Sequence, residues 1–343
     1  MIKISNDSKI YVICPANKET GGTELAHQLV DCLINKGLDA YIVYADDEKY
    51  VAAEIPVSFE KYLVHIASEP VDDEKNVVVC PEAIFLFALS LKKIQIIFWW
   101  MSVDNFFLDT RMFSQLNFFG IYSTLRYVYG RYIRHQPLFG EMTVSKLKNV
   151  INRHLHVYQS EYARQFLLSV GIKDPIPLSD YIDTDFINIS LSDLYKKENL
   201  ILYNPRKGFE FTKKIIEQLP DFKFVALQDM NKSELHGFLK KAKLYIDFGN
   251  HPGKDRLPRE AAINYCCVIT GIKGSAKYVE DVAIPDVYKL EKNELATIKH
   301  LIIDVLENYE QHINAFDDYR QKILNEKSVF ESDVERIFFR KHR

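Results

Sequence analysis

The amino-acid sequence predicts an α/β protein built from two Rossmann-like units in tandem. Three observations carry this: short apolar runs alternate with amphipathic helical stretches, the alternation restarts near residue 200, and glycine-bearing or charged turns follow several runs at their carboxyl ends. A chain of 343 residues, 47% hydrophobic and 27% charged, is long enough to bury two ordinary cores.

In chain order, Ile10–Cys14 reads as the first strand and Gly22–Asn35 as the helix after it. Ala40–Val43 and Val77–Cys80 read as strands, a helix begins near Glu82, and Ile94–Phe98 reads as the next strand. Such runs suit buried parallel strands joined by right-handed helical crossovers. The second series runs Leu200–Tyr203, helix Phe209–Gln218, Phe222–Ala226, helix Lys232–Lys241, Leu244–Asp247, helix Leu257–Asn264 and Cys267–Thr270. Pro175, Pro177 and the polar stretch Ser190–Asn199 interrupt the pattern between the two. This sets a domain over 1–180, a linker over 181–198 and a second domain over 199–325, with a cleft expected between the domains. Beyond Pro285 the chain is charged and helical, and 326–343 is expected as a terminal helix that packs back on the first domain.

A formal charge of -3 and a pI near 6.4 argue against a protein whose whole surface serves nucleic acid. The cysteines Cys14, Cys32, Cys80, Cys266 and Cys267 are odd in number, lie mostly in apolar stretches and show no CxxC spacing. They read as buried, reduced thiols of a cytosolic protein. The first residues lack a signal core, and no apolar run reaches the ~18 residues of a membrane span, so a cytoplasmic location is expected.

Thr20-Gly21-Gly22-Thr23-Glu24 opens the first helix directly after the first strand. Glycines there let the backbone approach an anionic or hydroxyl-rich ligand, and the helix dipole favours it; equally, the segment is a turn with Thr23 as cap. Arg206 and Lys207, in Tyr203-Asn204-Pro205-Arg206-Lys207-Gly208, are adjacent cations between a strand and a helix, suited to a diphosphate or to a solvated basic turn. Asp247 to Glu260 is the densest charged stretch. In it Lys254, Arg256 and Arg259 are candidates for phosphate oxygens and Glu260 for ribose hydroxyls, against a salt-bridged helix cap as the plain alternative. Gly274 and Ser275 follow the next strand and can complete a phosphate cradle, and Gln228 falls at the same sheet edge, where a base would lie.

In the first unit, Ser102, Asp104 and Asn105 follow an apolar run that ends with Trp99 and Trp100. The tryptophans read as core, Ser102 and Asn105 as acceptor contacts, and Asp104 as a candidate base. Phe106 to Pro137 holds Phe118, Phe119, Tyr122, Leu125, Tyr127, Tyr129 and Tyr132 with Arg126, Arg131 and Arg134 against the single Asp109. It reads either as core or as a surface lying on anionic lipid. His154 and His156 share a strand face without further ligands, and no acidic pair of DxD type follows a first-domain strand, so no metal is expected.

Together these residues resemble the GT-B glycosyltransferases, in particular the retaining group that includes bacterial capsule and lipopolysaccharide enzymes. Gly21-Gly22-Thr23-Glu24 is similar to the family's GG-x-E, Ser160-Glu161-Tyr162-Ala163 to its S-x-Y-A, Arg206-Lys207-Gly208 to its R...KG, and Glu260-Ala261-Ala262 to the EA-x-A closing its E-x7-E. The resemblance implies transfer of a sugar from a nucleotide diphosphate to a surface glycan, with no cofactor; where Phe106 to Pro137 is read as a lipid-facing surface, the acceptor is a lipid-linked precursor at the inner face of the plasma membrane. It also implies that Glu260 holds the donor ribose. Two departures stand out. Pro252 occupies the place of the first glutamate of E-x7-E, beside His251, which is read as a catalytic candidate, and Ser102-Val103-Asp104 stands where many members carry a histidine. The missing glutamate also suits a non-catalytic partner that binds sugar nucleotide or glycan.

Overall fold

The computed structural model describes residues 2–46, 49–108, 110–133, 138–139, 147, 153–183, 186 and 197–339. Most of the expected linker, with Asp109, Arg134 and Pro137, lies outside them. The chain divides into two compact units, 1–179 with 330–343, and 180–329.

The first unit is a seven-stranded sheet. Its strands are β1 (Lys9–Pro15), β2 (Asp39–Asp46), β3 (Lys49–Tyr50), β4 (Val77–Pro81), β5 (Gln95–Trp100), β6 (Leu155–Tyr158) and β7 (Ile176–Pro177), with helices α1 (Gly21–Asn35), α2 (Phe85–Ala88), α3 (Val103–Leu108), α4 (Met112–Ile133) and α5 (Glu161–Ser169) between them. The order is β3-β2-β1-β4-β5-β6-β7, parallel except where β3 runs against β2. Chain progression therefore reverses between β1 and β4, and a ligand crevice in such sheets opens at the carboxyl ends of those two strands. The β4 run Val77-Val78-Val79-Cys80 is buried throughout, as a strand covered on both faces must be.

β5 ends two residues later than the apolar pattern suggested, so both tryptophans are part of it. Each is buried with its indole N–H satisfied, Trp99 on Leu178 O (2.9 Å) and Trp100 on His156 Nδ1 (3.0 Å). Helix α1 starts on a reciprocal cap: Thr23 N donates to Thr20 Oγ1 (3.3 Å) and Thr20 N to Thr23 Oγ1 (2.8 Å).

The second unit carries a four-stranded parallel sheet, order β11-β10-β8-β9, from β8 (Glu198–Tyr203), β9 (Lys223–Ala226), β10 (Ala242–Asp247) and β11 (Cys267–Thr270). Here the reversal lies between β8 and β10. Its helices are α6 (Phe209–Gln218), α7 (Lys232–Lys241), α8 (Arg256–Ile263), α9 (Leu295–Glu307), α10 (Tyr309–His312) and α11 (Asp317–Leu324), and α12 (Glu326–Phe338) begins in this unit and continues into the other. Within the first unit the end of α12 is held by Lys36 Nζ on Glu335 (2.6 Å) and by Ser179 N on Asp333 (3.1 Å). Among the described residues no helix is long and apolar enough to cross a membrane.

Candidate functional site

At the carboxyl edge of the second sheet, glycines bring three loops into main-chain contact. A Cβ on Gly208 would lie 2.6 Å from Phe248 O, and one on Gly249 would lie 2.4 Å from Lys207 Cβ, so the loops after β8 and β10 meet only because both residues lack side chains. Gly274, at φ +62, would place a Cβ 1.9 Å from His251 O. Ser275 N donates to that same carbonyl (2.9 Å) and Ser275 Oγ to Gly253 O (2.6 Å), which ties the loop after β11 to the loop after β10.

A charge cluster lies within this frame. Lys207 Nζ sits 2.8 and 2.7 Å from the two carboxylate oxygens of Asp255, and His251 Nδ1 lies 2.9 Å from Asp255 Oδ2. His251 Nε2 is 3.7 Å from Asp247 Oδ1, and Asp247 also accepts from Tyr245 Oη (2.8 Å) and Gly249 N (2.9 Å). Burial alone would push the His251 imidazole down, but the carboxylates of Asp247 and Asp255 hold its pKa above the ordinary value. Burial would raise Asp255, yet His251 and Lys207 keep it below the usual carboxylate range. With His251 protonated, two cations face two carboxylates. Among the described residues, Asp247, His251 and Asp255 also present donor atoms within 4.8 Å of one another, so they can hold a cation once His251 has lost its proton, in competition with Lys207 for Asp255. The sequence reading did not assemble this group.

Several expected ligand contacts are turned inward instead. Arg259 is fully buried, and all five of its N–H groups are used: Nε on Asp255 O (3.2 Å), Nη1 on Asp180 (3.0 Å) and Glu326 (2.8 Å), Nη2 on Asp180 (2.5 Å) and Lys254 O (3.0 Å). Lys254 lies 3.2 Å from Asp180 and 2.8 Å from Glu326. These two cations neutralise two buried carboxylates, which corrects their assignment to phosphate. His251 is wholly enclosed, which removes it as a catalytic group, and both hydrogen-bonding groups of Ser275 are committed to the loop. Thr23 likewise belongs to the α1 cap, and its neighbour Glu24 is buried and accepts from Tyr62 Oη (2.9 Å).

What remains toward solvent at this edge is Arg206, 74% exposed and 3.4 Å from Asp229, together with Gln228, the partly exposed Lys207 and Arg256. Arg256 Nε donates to Glu260 one helical turn on (3.2 Å), just inside α8. Asp255, which precedes α8, spends its carboxylate on Lys207 and His251 rather than on capping the helix.

In the first unit, the reversal between β1 and β4 places the exposed Gly21 and half-buried Gly22 at the start of α1 near the loop after β5; a Cβ on Gly22 would sit 3.8 Å from Met101 Sδ. Ser102 caps α3 through its carbonyl, which accepts from Asn105 N (3.1 Å), and Asn105 is exposed. Asp104 is buried and accepts from Tyr162 Oη (3.1 Å), so it is not the outward-facing base the sequence suggested. The edge instead holds Glu82, immediately after β4, which sequence reasoning passed over as a helix start. Its carboxylate accepts from Met101 N (2.9 Å), and although burial pushes its pKa up to about 7, main-chain bonds from Met101 and Ser102 and the Asn105 side chain oppose that rise. A polar residue directly following a buried strand at the sheet's reversal was the available signal.

No protein-family model matches the sequence, and no curated protein matches it. Solved structures do match in fold. HepE from Anabaena, in complex with UDP and glucose, has a TM-score of 0.65 at 10% identity, with 96% of this chain and 99% of that chain covered. Sucrose-phosphate synthase from Thermosynechococcus elongatus has a TM-score of 0.65 at 10% identity over 96% and 98%. The catalytic domain of starch synthase IV from Arabidopsis thaliana, bound to ADP and acarbose, reaches 0.55 at 11% over 96% and 99%. The chain thus has the two-domain GT-B fold.

Proposed function

We propose that this protein is a glycosyltransferase that takes a sugar from a nucleotide diphosphate held at the carboxyl edge of the second sheet and passes it to a bacterial surface glycan or its lipid-linked precursor. The observation that carries this reading is the fold shared over nearly the whole chain with proteins whose structures hold UDP, UDP and glucose, or ADP. The cations that reach solvent at the edge fit it: Arg206, Lys207 and Arg256, each beside a carboxylate, surround the loops where the diphosphate of such a donor would sit.

In this reading cations and free amide groups stabilise the departing diphosphate as the anomeric carbon gains oxocarbenium character, and no metal is needed for that charge. Lys207 is positioned for the task by Asp255, itself braced by His251. Glu260 accepts from ribose hydroxyls once Arg256 turns from it toward phosphate. Gly21 and Gly22, at the start of α1, offer main-chain groups to the donor, and Ser102 and Asn105 lie on the acceptor side.

Thermal shift of the purified protein against UDP, GDP, dTDP, CDP and ADP, with and without chelator, tests the reading. Stabilisation by one diphosphate, unchanged by chelator, is expected, amounting to about 2.7 kcal/mol at a hundredfold excess over Kd. Arg206→Ala and Lys207→Ala should each weaken that binding by roughly 1.5 to 3 kcal/mol. No response to any diphosphate would overturn the assignment and favour a non-catalytic glycan-binding role.

A further inference from the structure

The aromatic stretch that the sequence left open between core and surface contributes to both, and its helix breaks at one residue. Within α4 the backbone of Gly120 leaves the helical region (φ 76, ψ 169). Before it, Phe118 stacks on Phe107 (3.7 Å between centroids, 7° between planes) and Phe119 meets Phe107 edge-on, so these two rings pack into the unit, while Met112 and Phe113 at the helix start are exposed. After it, Ile121, Tyr122, Leu125, Tyr129, Tyr132 and Ile133 are between 57% and 72% exposed. Tyr122, Leu125, Tyr129 and Ile133 recur at helical spacing and so form one stripe. A helix that turns its apolar stripe to water forgoes about 1.5–3 kcal/mol for each large side chain left uncovered, which marks the stripe as a contact surface.

Charge identifies the partner. From 110 to 133 the sequence contains Arg111, Arg126 and Arg131 and neither aspartate nor glutamate. The next twenty residues, in sequence, add Arg134, Lys146, Lys148 and Arg153 against Glu141 alone, in a chain whose net charge is -3. Arg111 and Arg126 are exposed, and Arg131 lies over the Tyr127 ring at 5.2 Å. Tyrosines and arginines around aliphatic side chains suit the boundary between lipid headgroups and acyl chains, and a helix too short and polar to cross the bilayer lies in that plane.

We infer that residues 121–133 dock on an anionic lipid surface, the Tyr122–Ile133 stripe entering the headgroup region and the arginines meeting lipid phosphates. The inference goes beyond the transferase reading and stands if that reading fails. It places the protein on the surface where a lipid-linked substrate would be.

The test is co-sedimentation of the full chain with vesicles of phosphatidylcholine alone and of equal parts phosphatidylcholine and phosphatidylglycerol, at low and high salt. Binding to the anionic vesicles, weakened by salt, is expected. Arg126→Gln should lower the partition coefficient about fivefold, and the triple variant Tyr122→Ser, Leu125→Ser, Tyr129→Ser by more than tenfold, with its melting temperature unchanged because these side chains are exposed. Equal binding to both vesicle types, or none to either, overturns the inference. So does a triple variant that keeps full partition, or one that converts a dimer to a monomer in light scattering, since the stripe would then be an interface between two copies.

Discussion

Replacing Arg259 by methionine should destabilise the second unit far more than an ordinary core substitution. Arg259 and Lys254 balance Asp180 and Glu326 in a site where Arg259 and both carboxylates are buried and Lys254 nearly so. Asp180 is the first residue of the unit and Glu326 lies close to its end, so the network clamps the two chain ends onto α8. Arg259→Met strips Asp180 of a two-pronged partner and leaves one carboxylate without a counter-charge; breaking a buried pair in this way costs about 3–5 kcal/mol. Restoring neutrality reverses much of that. The double variant Arg259→Met, Asp180→Asn leaves Lys254 with Glu326 at 2.8 Å and should be more stable than Arg259→Met alone.

Both tryptophans, Trp99 and Trp100, lie in the first unit, so in denaturant titrations their fluorescence follows that unit while far-UV circular dichroism follows both. The loss should appear in the circular dichroism transition. Acid adds a second readout. Burial would raise Asp180, but Arg259 and Lys254 pull its pKa down to about 2, below the 3.8 of the free side chain. Its contribution is therefore complete above the unfolded value and is lost as pH falls through the folded one. Arg259→Met should flatten this acid limb. A loss under about 1 kcal/mol, or a double variant less stable than the single, would refute the reasoning.

Glu82 is the opposite case: its folded pKa, about 7, lies above the 4.5 of the free side chain, so the folded state keeps a proton the unfolded chain has released. Stability should fall between those two values as pH rises, by about 3 kcal/mol in all. Glu82→Gln, which still accepts from Met101 N, should raise the melting temperature at about pH 8 and leave it unchanged at about pH 4; an equal effect at both ends would remove Glu82 as a titrating group. Gly274→Ala should destabilise the second unit by about 1–3 kcal/mol, because its φ of +62 and the nearby His251 carbonyl leave no room for a Cβ. It should also weaken any nucleotide diphosphate response. A melting curve like that of the unaltered protein would show that the loops after β10 and β11 are not locked together.

Strands β1, β2, β4 and β5, the four strands of the second sheet and the loops at their carboxyl ends were legible in the sequence because apolar periodicity is a property of one element, whereas the two-residue β3 and β7 carry no such run and β7 was read as an interruption. Val77–Cys80, Leu244–Asp247 and the helix from Phe209 could be read that way, and Gly208 and Gly274 marked turns where the backbone needs a left-handed residue. The partners of the charged side chains could not be read. Lys254, Arg256 and Arg259 look alike within one stretch, and only the packing of Asp180 and Glu326, each tens of residues away, decides that two are internal and one faces out. Glu82 likewise acquires its shifted titration from burial between elements, which hydrogen bonds from a neighbouring strand's loop only partly oppose, and which aromatics of the stretch around Gly120 meet Phe107 and which meet solvent is decided by packing. Local pattern determines which elements form; electrostatic partnership and exposure arise between elements, and the register in which they pack determines both.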